Sequence, residues 1–407
     1  VKAQPARIAI VGANFAGIAA ARHLSRHHAV TLLDPKPAFE FLPNIHELVS
    51  GVKRPAHLQL SRETLSRRTG HHLRQASVTR LHTAIGQLEL AGGDRLAYDA
   101  CVVACGGVNT DFGIPGVQKH TLPFKSVDEC VEIGDQLALL AARGRPARVV
   151  IIGGSFEGIE CLGEILRRYR DVESLRIHLV EAASRLMPQS PASIDAAVRE
   201  HCAKLPVSLH CGVPVSRVSR TRVTLADGTS LRSDLTLWTA GAAPAPLLFD
   251  SQLAPDRRSW APVNDCLQSI AAANVFIAGD AAATPRALWK QAYNASAMGS
   301  CAADNVERWL ADRPLRPLRP MPAVRLTAFG DIDTFLEVGE RVFAGPTLAA
   351  LKETIFQLQM AYQDNPLHSA GFLRGQRRYL DALGHLGVPA LLQSGYLLRR
   401  GVRRLGD

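Results

Sequence analysis

The sequence predicts an α/β chain of two Rossmann-like domains, the second inserted in the first, followed by a smaller C-terminal module. Three observations predict it. A buried apolar strand enters a glycine turn and a helix twice, at Ile8-Ala-Ile-Val-Gly-Ala-Asn-Phe-Ala-Gly17 and at Val149-Val-Ile-Ile-Gly-Gly-Ser-Phe-Glu-Gly158. Each copy is followed by a second strand ending in an acid and, further on, by hairpin-like sequence and another buried strand. The stretch Asp312-Arg-Pro-Leu-Arg-Pro-Leu-Arg-Pro-Met-Pro322 then excludes regular helix or sheet and reads as a linker.

The first unit continues with a helix over Ala16–Ser25 and a strand, Val30-Thr-Leu-Leu-Asp34. Asp34 lies 22 residues past Gly12, near the roughly 20-residue spacing at which an acid holds a ribose hydroxyl. Alternating sequence at Gln87-Leu-Glu-Leu and Arg95-Leu-Ala-Tyr leads to the buried strand Ala100-Cys-Val-Val-Ala-Cys-Gly-Gly107. The second unit repeats this order. Its helix spans Gly158–Tyr169, and its acidic strand, Ile177-His-Leu-Val-Glu181, ends 28 residues past Gly153. The added length fits the longer helix and the polar loop behind it. Val223-Thr-Leu-Ala-Asp-Gly-Thr is a hairpin with an Asp-Gly turn. Leu235-Thr-Leu-Trp-Thr-Ala-Gly241 is its buried strand, and Asn274-Val-Phe-Ile-Ala-Gly-Asp-Ala281 adds a further strand ending in glycine and acid. The implied division is 1–112 with 238–322, 113–237, and 323–407. In the last part a strand and hairpin, 325–343, precede a periodic helix, 347–362.

Glycine turns of this kind bring a pyrophosphate against backbone N–H groups at a helix N-terminus. Two of them imply two dinucleotides and electron transfer between them. The rest of the chain sets limits. It is 47% apolar and 21% charged, ordinary for a globular protein, and no run reaches the roughly 18–20 apolar residues of a membrane span. The N-terminus enters its first strand without a signal-peptide pattern, and eight scattered cysteines form no framework. The expectation is a cytoplasmic protein without a metal site. The net charge is +10, and seven arginines against Asp381 and Asp407 put +5 of it between His368 and the end.

With these motifs in this order, the chain resembles the two-dinucleotide-binding flavoprotein oxidoreductases, and most of all type II NADH:quinone oxidoreductases and the apoptosis-inducing-factor-like NAD(P)H:quinone reductases. The resemblance spans roughly residues 6–325. It implies FAD at the first turn, packed on Gly12, Asn14 and Gly17, with Asp34 on the adenosine ribose. Val78, Ala104, Cys105 and Gly106 would lie along that cofactor, and Gly279 with Asp280 would meet its ribityl chain. Gly153, Ser155 and Gly158 would form the NAD(P)H turn, with Glu181 on its ribose and Gly241 beside the nucleotide. Asn14 and Ser155 replace the usual middle glycines, and Cys105 replaces a threonine. A structural thiol is the simpler reading of Cys105, beside Cys101 on one face of a strand.

Glu181 favours NADH over NADPH, since a carboxylate accepts from a free 2′-hydroxyl and repels a 2′-phosphate; Arg185 nearby works against that preference. The region Phe39-Glu-Phe-Leu-Pro-Asn-Ile-His-Glu-Leu-Val-Ser-Gly51 holds no cysteine pair, which argues against disulfide and sulfide chemistry. Pro43 and Asn44 are either flavin-edge contacts or part of a surface loop. Leu288-Trp-Lys-Gln-Ala-Tyr-Asn-Ala295 resembles a quinone-site helix; Gln291 matches its first glutamine and Ala295 stands where a second is usual. Two residues are candidate proton carriers. Glu160 matches a carboxylate near the nicotinamide and flavin, or is a first-turn helix acid. Lys352 resembles a C-terminal lysine near the quinone, or is a solvated lysine on an amphipathic helix.

From Tyr379 to Leu405 apolar residues, mostly leucine, dominate one register, flanked by the pairs Arg377-Arg378, Arg399-Arg400 and Arg403-Arg404. Two short basic amphipathic helices either lie on the inner face of a cytoplasmic membrane or pack on the body or on a second subunit of a homodimer. No nucleic-acid-binding fold is visible. The leading expectation is an FAD-dependent NADH dehydrogenase that reduces a quinone or quinone-like acceptor. A flavoenzyme acting on a small organic substrate, and a reductase of a partner redox protein, are the alternatives.

Overall fold

The computed structural model describes residues 5–364 and 401–406. The chain divides into two compact units, one of residues 1–40, 59–108 and 242–321, the other of 41–58, 109–241 and 322–407. In chain order, β1 (Arg7–Val11), α1 (Phe15–His23) and β2 (Ala29–Leu33) open the first unit. Helix α2 (His46–Ser50) belongs to the second, and β3 (Ala100–Val103) returns to the first. Next come β4 (Ala147–Ile152), α3 (Phe156–Tyr169), β5 (Leu175–Glu181), α4 (Ala192–Cys202) and β6 (Leu235–Trp238) of the second unit. The first is completed by β7 (Val275–Ile277) and α5 (Ala292–Leu310). Strands β8 (Val324–Phe329), β9 (Asp333–Val338) and β10 (Arg341–Ala344), with helix α6 (Leu348–Asp364), fall in the second.

The first unit holds a five-stranded parallel sheet in the order β7, β3, β1, β2 and strand His72–Arg74. The glycine-turn strand is central. Its Ile8, Ala9, Ile10 and Val11 are all buried, as a parallel strand covered on both faces requires. The second unit repeats the plan with strand Leu122–Pro123, β6, β4, β5 and strand Val207–Cys211, again all parallel. One strand differs. The edge strand beyond β3 comes from later in the chain, whereas the one beyond β6 comes from earlier.

Each unit also carries a three-stranded antiparallel sheet, at 78–97 in the first and 215–232 in the second. In the second, Val215, Val218, Val223, Leu225 and Leu231 turn inward onto Val150, Ile152 and Trp238. The duplication therefore extends to whole domains. Helix α3 has 14 residues against nine in α1, which absorbs most of the longer spacing between Gly153 and Glu181.

The buried strand expected over 100–107 ends at Val103, because Gly106 adopts φ +66° and turns the chain. Cys105 therefore lies beyond the strand that carries Cys101. The expected strand 274–281 is likewise short, giving way to a 3-10 turn at Gly279–Ala281. Residues 313–323 contain no helix or strand. Beyond them β8, β9 and β10 form an antiparallel sheet whose fourth strand is Arg403–Leu405. Buried Asp333 holds that last strand through Arg403 (2.6 Å) and is also met by His201 (3.1 Å). The basic helices expected from Tyr379 onward lie outside the described residues up to Arg400.

Candidate functional site

In the first unit the turn after β1 is shaped for a phosphate. Gly12 has φ +98°, and a Cβ there would stand 2.3 Å from Ala104 O. A Cβ on Gly17 would stand 1.8 Å from Gly12 O, so α1 and the turn meet where no side chain fits. Asn14 begins α1 with φ −103° and no side-chain cap on it. That backbone suits any residue, which is why asparagine is tolerated in place of glycine. Its amide is used elsewhere, donating to Glu40 O (3.1 Å) and accepting from Glu40 N–H (3.2 Å).

Asp34 is buried beside this turn. It accepts from Ala13 N–H (2.8 Å), Lys36 N–H (2.9 Å) and the Arg62 guanidinium. Arg62 also donates to Ala13 O (2.9 Å) and Lys36 O (2.7 Å), fixing the turn and the acid together. The remaining candidates of this unit are spread over its strand ends. Ala104 N–H donates to Val11 O (2.7 Å), and Gly106 has open space where a Cβ would be. Burial pushes the Cys105 thiol up to about 12 and raises Cys101 further. Both are inert, protonated thiols at neutral pH. Val78 opens the strand Val78–His82. Gly279 has φ +71°, and Lys290 Nζ donates to Asp280 O (3.0 Å). Gln291 begins α5, and its Oε1 is buried without a hydrogen-bond partner. An uncapped helix start, a glycine-only turn and an orphaned buried acceptor together fit a dinucleotide cofactor.

The second turn repeats the backbone plan of the first. Gly153 has φ +111°, and a Cβ on Gly158 would stand 1.8 Å from Gly153 O. Ser155, at φ −84°, begins α3 without capping it. Glu181 accepts from Gly154 N–H (2.6 Å) and Ala183 N–H (2.8 Å), the counterparts of the two amides on Asp34. The guanidinium differs. Arg185 donates to Met187 O (3.0 Å), Pro188 O (2.8 Å) and Ser190 O (2.7 Å) rather than to the acid. Glu181 is therefore left without a guanidinium partner, and Arg185 is spent on the loop behind it. Gly241 has φ +70° and closes against the Phe112 ring.

Glu160 and Lys352 come together. Lys352 of α6 pairs with Glu160 Oε1, which also accepts from Ala328 N–H (3.2 Å). His46 of α2 joins them, with Nδ1 3.5 Å from Glu160 Oε2 and Nε2 3.3 Å from Lys352 Nζ. Lys352 is therefore not a solvated lysine; its side chain is only 12% exposed. Burial raises the Glu160 carboxyl above its ordinary value, although the ammonium opposes it. Burial and the neighbouring cations hold the His46 imidazole well below its ordinary value, hence neutral. A group of acid, amine and neutral imidazole in contact is one that can give up and retake a proton.

Helix α6 is held in place by a second set of contacts. Lys53 pairs with Glu353 (2.7 Å) and Glu47 (3.5 Å) and lies over the Phe356 ring, which meets Phe41 edge-on. Asn44, a candidate cofactor contact, donates to Glu47 (2.7 Å), and Pro43 sits exposed in the short helix Leu42–Asn44. Sequence reasoning missed His46, Arg62 and Lys53, which no spacing marks. It also missed Glu164, which stands one turn beyond Glu160 on the same helix and is buried.

The chain matches the family described as pyridine nucleotide-disulphide oxidoreductase over residues 6–299. It is 25% identical to the demethylphylloquinone reductase NdbB of a Synechocystis species, over 86% of this chain and 91% of that protein. It is 24% identical to the type II NADH:quinone oxidoreductase of Haemophilus influenzae, over 77% and 82%. Among solved structures, NDH2 from Plasmodium falciparum, in complex with NADH, superimposes with a TM-score of 0.77 at 14% identity, covering 91% of this chain and 98% of that one.

Proposed function

The chain belongs to the pyridine nucleotide-disulphide oxidoreductase family, and we propose that within it the protein is an FAD-dependent NADH dehydrogenase that reduces a quinone. The observation that carries this reading is the buried Glu160–Lys352–His46 cluster, whose Glu160 lies on the helix that begins at the second glycine turn. Quinone reduction consumes protons, and these are the groups able to deliver them. Two relatives, named for demethylphylloquinone and quinone reduction, support the same acceptor class.

Gly12, Asn14, Gly17, Asp34 and Arg62 would hold the FAD adenylate, with Ala104, Cys105, Gly106, Asp280 and Gln291 along the rest of it. Bound FAD supplies the two-electron exchange between the dihydronicotinamide and the quinone. Gly153, Ser155, Gly158 and Glu181 would seat NADH, and the unpaired charge of Glu181 disfavours NADPH. Among the described residues no helix is long and apolar enough to cross a membrane. The basic segment that begins at His368 supplies peripheral attachment to an anionic lipid surface.

The test is direct. Protein loaded with FAD should lose its flavin absorption on adding NADH and regain it on adding a water-soluble quinone. Failure to take up FAD, or a reduced flavin that quinone leaves unchanged, overturns the reading.

A further inference from the structure

Helices α2 and α3 form a ladder with two rungs. His46 meets Glu160, and four residues further along both helices the Ser50 hydroxyl donates to Glu164 Oε2. Residues four apart on a helix share a face, about 5–6 Å apart between Cβ atoms. The lower rung therefore sits one turn from the upper. Glu164 is fully buried, yet only one of its oxygens is satisfied. Arg167 Nη2 stands 3.2 Å from Oε1 without the alignment of a hydrogen bond. Beyond this rung the ladder reaches water: Gly51 and Arg168 are exposed, and Arg168 donates to Ser50 O (3.2 Å).

A buried acid with an unused oxygen is costly unless it is protonated. Burial and Glu47 push the Glu164 carboxyl up to about 7, while Ser50, Arg167 and Lys352 pull the other way. These are the charged and titratable groups facing it from α2, α3 and α6. From the hairpin, α3 is met at Gly163 by the backbone of Phe329 and Gly330, which carries no charge.

We propose that Glu164 is a proton relay that takes a proton from solvent at the Ser50 end of α3 and passes it to the Glu160–Lys352–His46 cluster. The inference rests on the quinone-reductase reading above. The balance is NADH + H⁺ + quinone → NAD⁺ + quinol, so one solvent proton enters per turnover. When the cluster has given its proton to the reduced acceptor, the Glu164 carboxyl O–H gives its own to the cluster. The resulting carboxylate takes another through the Ser50 hydroxyl, which donates its proton inward and accepts one from water. Glu164 acts through Glu160 and touches no substrate; it is a positioning residue for protons.

The test compares wild type, Glu164→Gln and Ser50→Ala, each loaded with FAD, in two separate half-reactions. Flavin bleaching by NADH should be unaltered in both variants. Reoxidation by a water-soluble quinone should slow roughly tenfold in Glu164→Gln, lose its dependence on pH near neutrality, and recover on adding formate or imidazole buffers. Ser50→Ala should slow the same step less. Infrared spectroscopy of the wild type should show a buried protonated carboxyl band that titrates near neutral pH and is missing from Glu164→Gln, a readout independent of turnover. Reoxidation of Glu164→Gln at the wild-type rate and pH profile overturns the relay. So does equal slowing of both half-reactions without rescue, or a wild-type infrared spectrum without that band. If wild-type flavin is not reoxidised by quinone at all, the quinone reading fails instead, and the infrared titration still decides whether Glu164 holds the proton.

Discussion

The Lys352 ammonium pairs with the Glu160 carboxylate across 192 residues of sequence, and both are shielded from water. Burial alone raises the Glu160 carboxyl and favours its protonated form. With Lys352 beside it, its proton becomes labile. Replacing Lys352 by methionine removes the cation that lowers Glu160 and leaves the burial that raises it. In a series of quinone-reduction rates against pH, the limb that reports this acid should therefore move to higher pH in Lys352→Met. A limb that stays in place, or moves lower, contradicts the pairing.

Much of this was legible in the residues, for identifiable reasons. The two glycine turns, their acids and the central parallel strands follow from local rules, because turn geometry and burial on both faces constrain single positions. The lengths of the strands at Val103 and Ile277 were harder, since a glycine in an apolar run marks a bend only once its φ is known. The proton site was half legible. Glu160 and Lys352 were visible as separate candidates, but a contact between positions so far apart leaves no periodicity behind. His46 was invisible for the same reason, as a lone histidine in a loop-like stretch. Arg62 opens the mainly polar helix Arg62–Thr69, and only the fold brings it onto Asp34.

Stability should depend on pH through Glu164. Its carboxyl moves from an ordinary 4.5 to about 7 on folding, a raised value that favours the neutral form in the folded state. Its contribution is fully present below pH 4.5 and is lost as pH rises through 7, a change on the order of 3 kcal/mol. Thermal unfolding of wild type and Glu164→Gln should diverge across that window, the variant gaining relative to wild type toward alkaline pH. His46 acts with opposite sign, since its lowered value makes the folded state resist protonation; it is common to both proteins and drops out of the difference. Parallel melting curves would refute the assignment.

Arg62 holds a buried acid and two carbonyls at the first glycine turn. Arg62→Leu leaves Asp34 buried with its charge uncompensated, which costs roughly 3–5 kcal/mol. The expected result is a lowered melting temperature together with loss of bound flavin during purification, both partly restored in Arg62→Lys. A variant that melts with the wild type and keeps its flavin would contradict the role.

Glu181 and Arg185 should act on nucleotide binding in different ways, since Arg185 is bonded to the loop behind the acid and not to the acid itself. Glu181→Ala should reduce the ratio of kcat/KM for NADH over NADPH by about tenfold, chiefly by admitting the 2′-phosphate. Arg185→Ala frees the carbonyls of residues 187, 188 and 190, so its main effect should be a higher KM for NADH with kcat retained. An unchanged selectivity in Glu181→Ala removes the ribose assignment.

The basic C-terminal segment makes a separate claim. Replacing Arg377, Arg378, Arg399 and Arg400 by serine should cut binding to anionic vesicles by about 1 kcal/mol per residue, with the flavin half-reactions unchanged. Vesicle sedimentation measures it; equal binding by the wild type and the variant would mean the arginines serve another surface.

The central claim is that the Glu160 cluster supplies protons to the acceptor. Stopped-flow spectroscopy of FAD-loaded Glu160→Gln tests it most directly, because reduction by NADH and reoxidation by quinone appear as separate phases. Reduction should run close to the wild-type rate, while reoxidation should slow on the order of a hundredfold. Reoxidation at the wild-type rate would contradict the account.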